Sequence, residues 1–389
     1  MRIVFIGSCL EPGQDGVGDY IRRLAAECVR QGHPSIILGL NDARISKPTL
    51  ELQESDGTSI SVLRLSTAMP CSERAKAACE WLEAFNPDWI SLQYVCYGYH
   101  PKGLPWQWNP IFVRLGKMGE RRHLMFHELW IGEGGYSTWM RRLIGIGQRW
   151  IIRKMYQRFQ PDVVTTTMPL FQKRLARLGI MAKTLPLFGN IKITRRDDDR
   201  ITSLLRAAGS RLVQKPRSAF LNGVFFGGVH PDFNVALMIP WLAELESRSA
   251  KPALLSMIGR AGLAGEWLAR QLESSMPGVI EVVALGEQPE DIISQALQFA
   301  DFGINTGSPE FLGKSGTFAA MREHGLPVVL ADGYLDSTIQ QNDGHAVFQF
   351  STTNSVAAVL NYSRPVIVGS EVARAATNMV RYFESITFK

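Results

Sequence analysis

A long apolar run is missing from this 389-residue sequence. No segment reaches the roughly 18 apolar residues that a membrane-spanning helix needs. The first apolar stretch begins at residue 3 and soon meets the loop Glu11-Pro12-Gly13, so it does not have the form of a secretion signal. Repeats and low-complexity tracts are also missing. These absences predict a globular, cytoplasmic protein.

Cysteine is scarce, and all five residues fall in the first quarter of the chain: Cys9, Cys28, Cys71, Cys79 and Cys96. Their number is odd, and no two have the Cys-x-x-Cys spacing of a redox or zinc motif. We therefore expect reduced, structural thiols, as is usual in the cytosol. Cys71 and Cys79 could meet on one helix face, but we predict no metal site there.

Strand-like and helix-like patterns alternate along the chain, which predicts an α/β fold with parallel sheets joined by right-handed crossovers. The length suggests two domains, residues 1–190 and 191–369. The polar stretch from Ile191 to Arg217 shows no clear apolar period, and we interpret it as the segment between them. Strands are expected near 2–7, 35–40, 60–65, 88–93, 123–127, 162–166, 183–186, 219–227, 253–258, 279–284, 301–305, 326–330 and 345–350, and helices near 18–31, 72–85, 138–159, 168–178 and 372–386.

Positive charge is concentrated in the first half. Residues 1–190 carry 24 Lys+Arg against 16 Asp+Glu, whereas residues 191–389 carry 18 against 20. Many of these cations lie in or near a predicted helix from Thr138 to Phe159: Arg121, Arg122, Arg141, Arg142, Arg149, Arg153, Lys154 and Arg158. This is either a core helix with a solvated basic face or a helix attracted to an anionic membrane surface or a phosphorylated lipid. No nucleic-acid-binding module accompanies it, so nucleic acid is not expected as a partner.

The stretch from Gly307 to Leu330 is the most informative. It predicts a strand end, a glycine-rich turn, a helix start and a second strand. Helix-start N–H groups, Ser315 and Thr317 as caps, and the ammonium of Lys314 form an anion site suited to a diphosphate. The rival is a Walker A loop, but Gly307 lies one residue too early for its spacing, and the stretch comes late in the chain.

A second glycine-rich loop follows the first predicted strand and contains Gly13, Gly16 and Gly18. Such a loop either lets the backbone approach a ligand closely or forms a plain tight turn between strand and helix. It lacks the Gly-x-Gly-x-x-Gly spacing, so dinucleotide binding has little support.

Together these motifs resemble GT-B glycosyltransferases of the retaining, family 4-like (group 1) type. The resemblance rests on Glu310 before the glycine turn, on the run from His324 to Val329 after it, and on the opening loop with Gly32-His33 further on. It implies two Rossmann-like domains facing a central cleft, with the last helix, about 370–389, returning to the first domain. It also implies transfer of a sugar, such as a hexose, from a nucleoside-diphosphate sugar with retention, as in polysaccharide biosynthesis.

The resemblance also suggests site residues. His127, at a predicted strand end, would contact the donor sugar, and Glu310 would orient its hydroxyls or stabilise a cationic carbon. Arg260, also at a strand end, is either a surface residue or a partner of Lys314 in neutralising the leaving diphosphate. The donor-binding residues are then Gly16, Gly18, Gly228, Arg260, Lys314, Ser315, Gly316 and Thr317. Many members carry a second glutamate where Thr317 stands, and the usual Arg and Lys after the turn at Gly228 are missing.

No metal or cofactor is expected, because cationic side chains can balance the charge of the diphosphate. The Asp197–Asp199 triplet, flanked by arginines, is better explained as surface or a helix start than as a metal motif. We expect a saccharide or lipid-linked acceptor in the basic first domain, and a cytoplasmic location either with or without contact to the inner face of an anionic membrane. The aromatic loop 97–108 either contacts that acceptor or is simply packed. A P-loop nucleotide hydrolase and a non-catalytic nucleotide-sugar-binding protein remain alternatives.

Overall fold

The computed structural model describes residues 1–133, 138–231, 233–333, 335, 347–365 and 370–387. The chain divides into two compact units, unit 1 (residues 1–187 and 370–389) and unit 2 (residues 188–369). Each is built on one predominantly parallel sheet with helices between the strands. The predicted fold class, two Rossmann-like α/β domains, is confirmed.

The strands of unit 1 form an eight-stranded sheet in the order β3-β4-β2-β1-β5-β6-β7-β8. Among its described strands, only the β3–β4 pair is antiparallel. All five residues of β1 are buried, as expected for an apolar run in the middle of a parallel sheet. The strands are β1 (Ile3–Gly7), β2 (Ser35–Asp42), β3 (Thr49–Ser55), β4 (Thr58–Ser66), β5 (Trp89–Tyr94), β6 (Arg121–Phe126), β7 (Val163–Thr166) and β8 (Lys183–Thr184).

The sheet of unit 2 is parallel throughout, in the order β11-β10-β9-β12-β13-β14. This is the 3-2-1-4-5-6 order of dinucleotide-binding domains, and it reverses between β9 and β12. Ligands of such sheets bind outside the carboxyl ends of the strands at that reversal. The strands are β9 (Leu221–Phe226), β10 (Ala253–Ile258), β11 (Ile280–Gly286), β12 (Phe302–Asn305), β13 (Val328–Leu330) and β14 (Val347–Gln349). The expected strand residues 345 and 346 lie outside the described residues.

Most of the α-helices among the described residues connect parallel strands of a sheet. In chain order they are α1 (Gly16–Arg30), α2 (Cys71–Phe85), α3 (Asn109–Gly116), α4 (Trp139–Phe159), α5 (Pro169–Ala176), α6 (Asp198–Ala207), α7 (Val235–Ser249), α8 (Gly262–Ser275), α9 (Glu290–Phe299), α10 (Gly316–Glu323), α11 (Ser355–Leu360) and α12 (Glu371–Thr387).

The last helix, α12, packs within unit 1. The buried ring of Phe383 stacks on Trp89 with 3.9 Å between ring centroids. The hydroxyl of Tyr382 donates to the carbonyl of Thr184 at 3.1 Å. These contacts attach the end of the chain to the sheet that its first strand begins.

Two elements differ from the sequence-based expectation. Helix α6 was not among the predicted helices, although the Asp197–Asp199 triplet was explained as surface or a helix start. The helix forms in the supposed connecting segment because Ile201 and Leu205 bury one face and Asp197 caps it by accepting from the amide of Arg200 at 3.0 Å. Strand β3 was not predicted because its alternation is inverted. Its leucines point to solvent, whereas Gln53 is buried and accepts from Nε of Arg22 at 2.7 Å.

Candidate functional site

A cavity of about 480 Å³ lies in unit 2 at the carboxyl ends of β9 and β12, where the strand order reverses. Its wall comes from three segments, within residues 225–231, 304–308 and 311–317. The position is the one at which doubly wound sheets bind ligands. The cavity is therefore the first candidate for a substrate site.

The segment before α10 is a 3₁₀ helix from Pro309 to Lys314, not the glycine-rich turn that was expected. The amide of Phe311 donates to the carbonyl of Ser308 at 3.0 Å, and the amide of Ser315 donates to the carbonyl of Leu312 at 2.9 Å. A P-loop instead turns successive amides inward around a phosphate. Since these amides are used within the helix, the geometry does not favour a P-loop hydrolase.

The start of α10 offers donors to an anion. Ser315 caps the helix, with its hydroxyl accepting from the amide of Phe318 at 3.2 Å and lying 3.0 Å from the hydroxyl oxygen of Thr317. In the described part of the chain, the amides of Gly316 and Thr317 have no hydrogen-bond partner. Lys314 lies on the cavity wall beside them. Two amides, two hydroxyls and an ammonium at a helix N-terminus suit a phosphate group.

A glycine turn brings the end of β9 against this helix start. Gly227 has a φ of 94°, and a Cβ added there would lie 2.7 Å from Cγ2 of Thr317. Gly259, with a φ of 107°, packs in turn on Gly227, where its Cβ would lie 3.1 Å from Cα. Only glycine permits this approach without displacement. The neighbouring Gly228 lines the cavity, as predicted for a donor-binding turn.

The sequence motifs did not predict the polar part of the cavity wall at Asn305 and Thr306. The hydroxyl of Thr306 accepts from the amide of His230 at 3.0 Å and donates to the carbonyl of Gly228 at 3.4 Å. Oδ1 of Asn305 accepts from the amide of Gly307 at 2.9 Å. These residues belong to no motif. Their position at the end of the fourth strand of the domain is the signal that could have identified them.

Three predicted residues of unit 2, namely Glu310, Arg260 and Gly316, are not among those that line this cavity. Glu310 is half-buried on the 3₁₀ helix, outside the lining residues. Nε of Arg260 lies 2.7 Å from Oε1 of Glu287, in an exposed ion pair. The structure thus brings together Gly228, Lys314, Ser315 and Thr317, with Gly316 beginning α10. The roles of Glu310 and Arg260 stay predictions.

His127 follows β6 in unit 1 and is buried. Its Nε2 lies 2.8 Å from Oε1 of Gln93, and its ring meets Tyr20 edge-on at 4.9 Å between centroids. Burial lowers the pKa of His127 to about 3. A neutral imidazole can exchange hydrogen bonds with a sugar, but it carries no charge near neutral pH.

A chain of buried polar groups continues from Gln93. Its amide nitrogen donates to the hydroxyl of Ser91 at 2.7 Å, and that hydroxyl lies 2.8 Å from Nδ1 of His123. Nε2 of His123 lies 2.8 Å from the hydroxyl of Thr165. Burial also lowers the pKa of His123 to about 3. The chain crosses β5, β6 and β7 and was not foreseen, since its members are far apart in sequence.

In the opening loop of unit 1, Gly18 is tightly packed, whereas Gly16 has open space around it. A Cβ on Gly18 would lie 2.7 Å from the carbonyl oxygen of Cys9, so this residue packs against the loop after β1. Gly16, the first residue of α1, has no atom within 4 Å of such a Cβ. Asp15 caps α1 by accepting from the amide of Val17 at 3.0 Å. The predicted contact of Gly16 and Gly18 with a donor remains a prediction.

Helix α4 exposes apolar residues that a core helix would bury. Trp139, Leu143, Ile146 and Trp150 are 70%, 57%, 54% and 56% exposed, and they share one helix face at i, i+4, i+7 and i+11. The opposite face is buried through residues such as Ile151 and Met155. Arg141, Arg142, Arg153 and Arg158 are also exposed. The outer face of α4 is thus both apolar and basic.

Some side chains of the aromatic loop 97–108 are packed, and others are exposed and open to contact with an acceptor. Tyr99 and Trp108 are buried and pack on Phe112, whereas Trp106 is exposed.

Among the described residues, no helix is both long and apolar enough to span a bilayer. The same residues contain no group of three or more His, Cys, Asp or Glu side chains that could hold a metal ion.

The sequence matches no protein-family model and no curated protein. Solved structures do resemble it, and they include glycosyltransferases of the GT-B type. The chain has the GT-B fold. Anabaena HepE in complex with UDP-glucose is 12% identical with a TM-score of 0.56, covering 100% of this chain and 98% of that one.

Two further structures are similar over their whole length. The UDP-forming α,α-trehalose-phosphate synthase of Burkholderia xenovorans, in complex with glucose-6-phosphate, is 10% identical with a TM-score of 0.53, over 99% of this chain and 97% of that one. The catalytic domain of Arabidopsis thaliana starch synthase IV, bound to ADP and acarbose, is 13% identical with a TM-score of 0.53, over 99% of both chains. At such identities the likeness establishes the fold.

Proposed function

We propose that the protein is a glycosyltransferase that takes a sugar from a nucleoside-diphosphate sugar. The observation that carries the proposal is the cavity at the strand-order reversal of unit 2, which Lys314, Ser315 and Thr317 line. The amides of Gly316 and Thr317, at the start of α10, have no hydrogen-bond partner among the described residues. The GT-B fold supports it, as do similar structures that contain UDP-glucose or ADP.

The chemistry follows from charge. Breaking the bond between the anomeric carbon and the phosphate oxygen leaves negative charge on the diphosphate and cationic character on the sugar ring. Lys314 and the helix-start amides would stabilise the first. On the strength of the family resemblance, we assign Glu310 to the sugar hydroxyls or the cationic carbon, and His127 to a hydrogen bond with the sugar. Retention of configuration and a hexose donor rest on the resemblance alone.

We place the acceptor side at an anionic membrane. The outer face of α4 presents Trp139, Leu143, Ile146 and Trp150 among exposed arginines. Apolar side chains can enter the headgroup region while cations contact lipid phosphates, which is how interfacial helices bind. A lipid-linked saccharide at the inner, cytoplasmic face is the acceptor that this surface suits, and polysaccharide biosynthesis is the corresponding process.

A second function, binding of nucleotide sugars without transfer, is favoured by two observations. Thr317 stands where many related enzymes have a second glutamate, and Glu310 is not among the residues that line the cavity. Such a protein would keep the diphosphate site and lack turnover.

A thermal-shift screen with UDP, GDP, ADP and their glucose conjugates tests the proposal. A ligand at 100 times its dissociation constant should add about 2.7 kcal/mol to the free energy of unfolding. The nucleotide that shifts the melting temperature would then be used in transfer assays with lipid-linked saccharides. Binding without transfer to any acceptor would favour the second function, and no shift with any nucleotide would overturn both.

A further inference from the structure

A second cavity, of about 470 Å³, lies in unit 2 at the amino-terminal ends of β9 and β12. Its wall includes Leu221 at the start of β9, Asp301 just before β12, and the last residues of α9. It shares no lining residue with the cavity at the carboxyl ends of the same strands. It is a separate site at the other end of the sheet.

Cations outnumber carboxylates in this wall. Four lining side chains are cationic and only Asp301 is anionic, the cations being Arg196, Arg217, Lys251 and Arg364. Both oxygens of Asp301 are already engaged, since Oδ1 accepts from Nη2 of Arg217 at 2.8 Å and Oδ2 accepts from the amide of Asn222 at 2.7 Å. One carboxylate therefore cannot balance the remaining charge.

Two of the cations have no carboxylate within ion-pair distance among the described residues. Arg196 forms a bidentate pair with Asp198, at 2.7 and 2.8 Å. Within the described ranges of the chain, neither Arg364 nor Lys251 forms an ion pair. Arg364 donates only to the main-chain carbonyls of Leu297 and Ala300. Two positive charges are left facing a cavity.

The positive charges of these groups also repel one another. Burial first, and then the neighbouring charge of Arg196, lower the pKa of Arg364 to about 10. Nε of Arg217 is buried and has no hydrogen-bond partner among the described residues. Cations held close together in this way are stabilised when an anion joins them.

We propose that this cavity binds a phosphate dianion, free or as the monoester of a small metabolite. A dianion balances the two unpaired cations, and arginine side chains match phosphate oxygens through paired N–H donors. The volume would hold about fifteen water molecules, so it accommodates an organic group attached to the phosphate. Because the two cavities lie at opposite ends of β9 and β12, this ligand does not compete with a nucleotide at the first.

The test is isothermal titration calorimetry with inorganic phosphate and with glucose-6-phosphate, on the full chain at low salt. The variant Lys251→Glu reverses one unpaired charge of the cavity at a half-buried surface position. Lys215→Glu is the matched control, since Lys215 is exposed and does not line the cavity. Lys314→Ala removes the cation of the first cavity.

We expect Lys251→Glu to weaken binding by about tenfold or more, and Lys215→Glu and Lys314→Ala to retain it within about threefold. The variant Arg364→Lys keeps the positive charge but loses the paired N–H donors of the guanidinium. It should weaken phosphate binding less than Lys251→Glu does. Tighter binding of glucose-6-phosphate than of phosphate identifies a monoester as the ligand, and equal affinities identify free phosphate. The proposal is overturned if binding is undetectable, survives Lys251→Glu, or is lost in Lys314→Ala or in the control.

Discussion

Nε2 of His127 lies 2.8 Å from Oε1 of Gln93. An amide oxygen only accepts hydrogen bonds, so the neutral imidazole must carry its hydrogen on Nε2 and leave Nδ1 as an acceptor. Gln93 is held in this orientation because its amide nitrogen donates to Ser91 at 2.7 Å. In the proposed mechanism, Nδ1 is therefore the atom through which His127 would accept a hydrogen bond from a sugar hydroxyl.

Acid should destabilise the protein through its buried histidines. Burial lowers the pKa of both His123 and His127 to about 3, whereas an unfolded histidine titrates near 6.5. Between these values the unfolded chain binds more protons. The free energy of unfolding therefore falls as the pH falls below about 6.5, by up to about 1.4 kcal/mol per pH unit for each histidine.

Urea denaturation at about pH 7.5 and about pH 5.5 measures this dependence. The variant His127→Gln removes one of the two contributions, so the change in unfolding free energy between the two pH values should shrink. An unchanged pH dependence would show that His127 is protonated as easily in the folded protein as in the unfolded chain.

The diphosphate site is tested at Lys314. Lys314→Ala should weaken nucleoside-diphosphate binding by roughly 1.5–3 kcal/mol, since a charge-assisted contact is lost while the fold is not affected. Lys215→Ala is the matched control, because Lys215 is exposed and does not line the cavity. Arg260→Ala tests the predicted role of Arg260, which is paired with Glu287 outside the cavity lining. Calorimetry that finds full affinity in Lys314→Ala would remove Lys314 from the site, and full affinity in Arg260→Ala would do the same for Arg260.

The sugar contacts are tested by separating binding from transfer. Glu310→Gln and His127→Ala should lower the rate of transfer far more than the affinity for the free nucleotide, because the nucleotide lacks the sugar that these residues are proposed to contact. Thermal melting controls for loss of fold. If transfer and nucleotide affinity fall together, both residues have structural roles only.

Transfer should continue in excess EDTA. In the proposed mechanism Lys314 and the amides of Gly316 and Thr317 balance the diphosphate, so a divalent cation is not needed for that charge. The measurement is the rate of sugar transfer with and without EDTA, on protein from which metal has first been removed. A strict requirement for Mg²⁺ or Mn²⁺ would contradict the proposed mechanism.

The fold could be predicted from sequence wherever apolar runs were long enough to define strands. The predicted strand 253–258 is β10, residue for residue, because it is buried on both sides of a parallel sheet. For helix α6 the sequence indicated only a helix start, as one of two interpretations of the Asp197–Asp199 triplet. The buried face consists of only Ile201 and Leu205, too few to show a period. The inverted pattern of β3 could not be interpreted without knowing that Gln53 bonds to Arg22.

The candidate site was predictable only in part. Lys314, Ser315 and Thr317 were found because capping residues and a cation are adjacent in sequence, and they do share a cavity. The polar wall at Thr306 depends on strand order, which no local pattern encodes. The chain from Gln93 to Thr165 requires the register of three strands. In α4 the period was detected, but a period does not say which face packs inward.

Binding to anionic vesicles should depend on the outer face of α4. The double variant Trp139→Ser/Trp150→Ser removes two exposed rings, and Arg142→Glu/Arg153→Glu reverses two exposed charges; both should reduce co-sedimentation with vesicles of phosphatidylglycerol and phosphatidylcholine. Each cation near such a surface contributes about 1 kcal/mol, an attraction that salt weakens. Leu263→Ser/Trp267→Ser on α8 is the matched control, since these residues are also exposed but have no comparable basic run around them. A protein that ignores anionic vesicles at low salt, or that loses binding equally in the control, would make the acceptor a soluble saccharide and the face of α4 a surface for some other purpose.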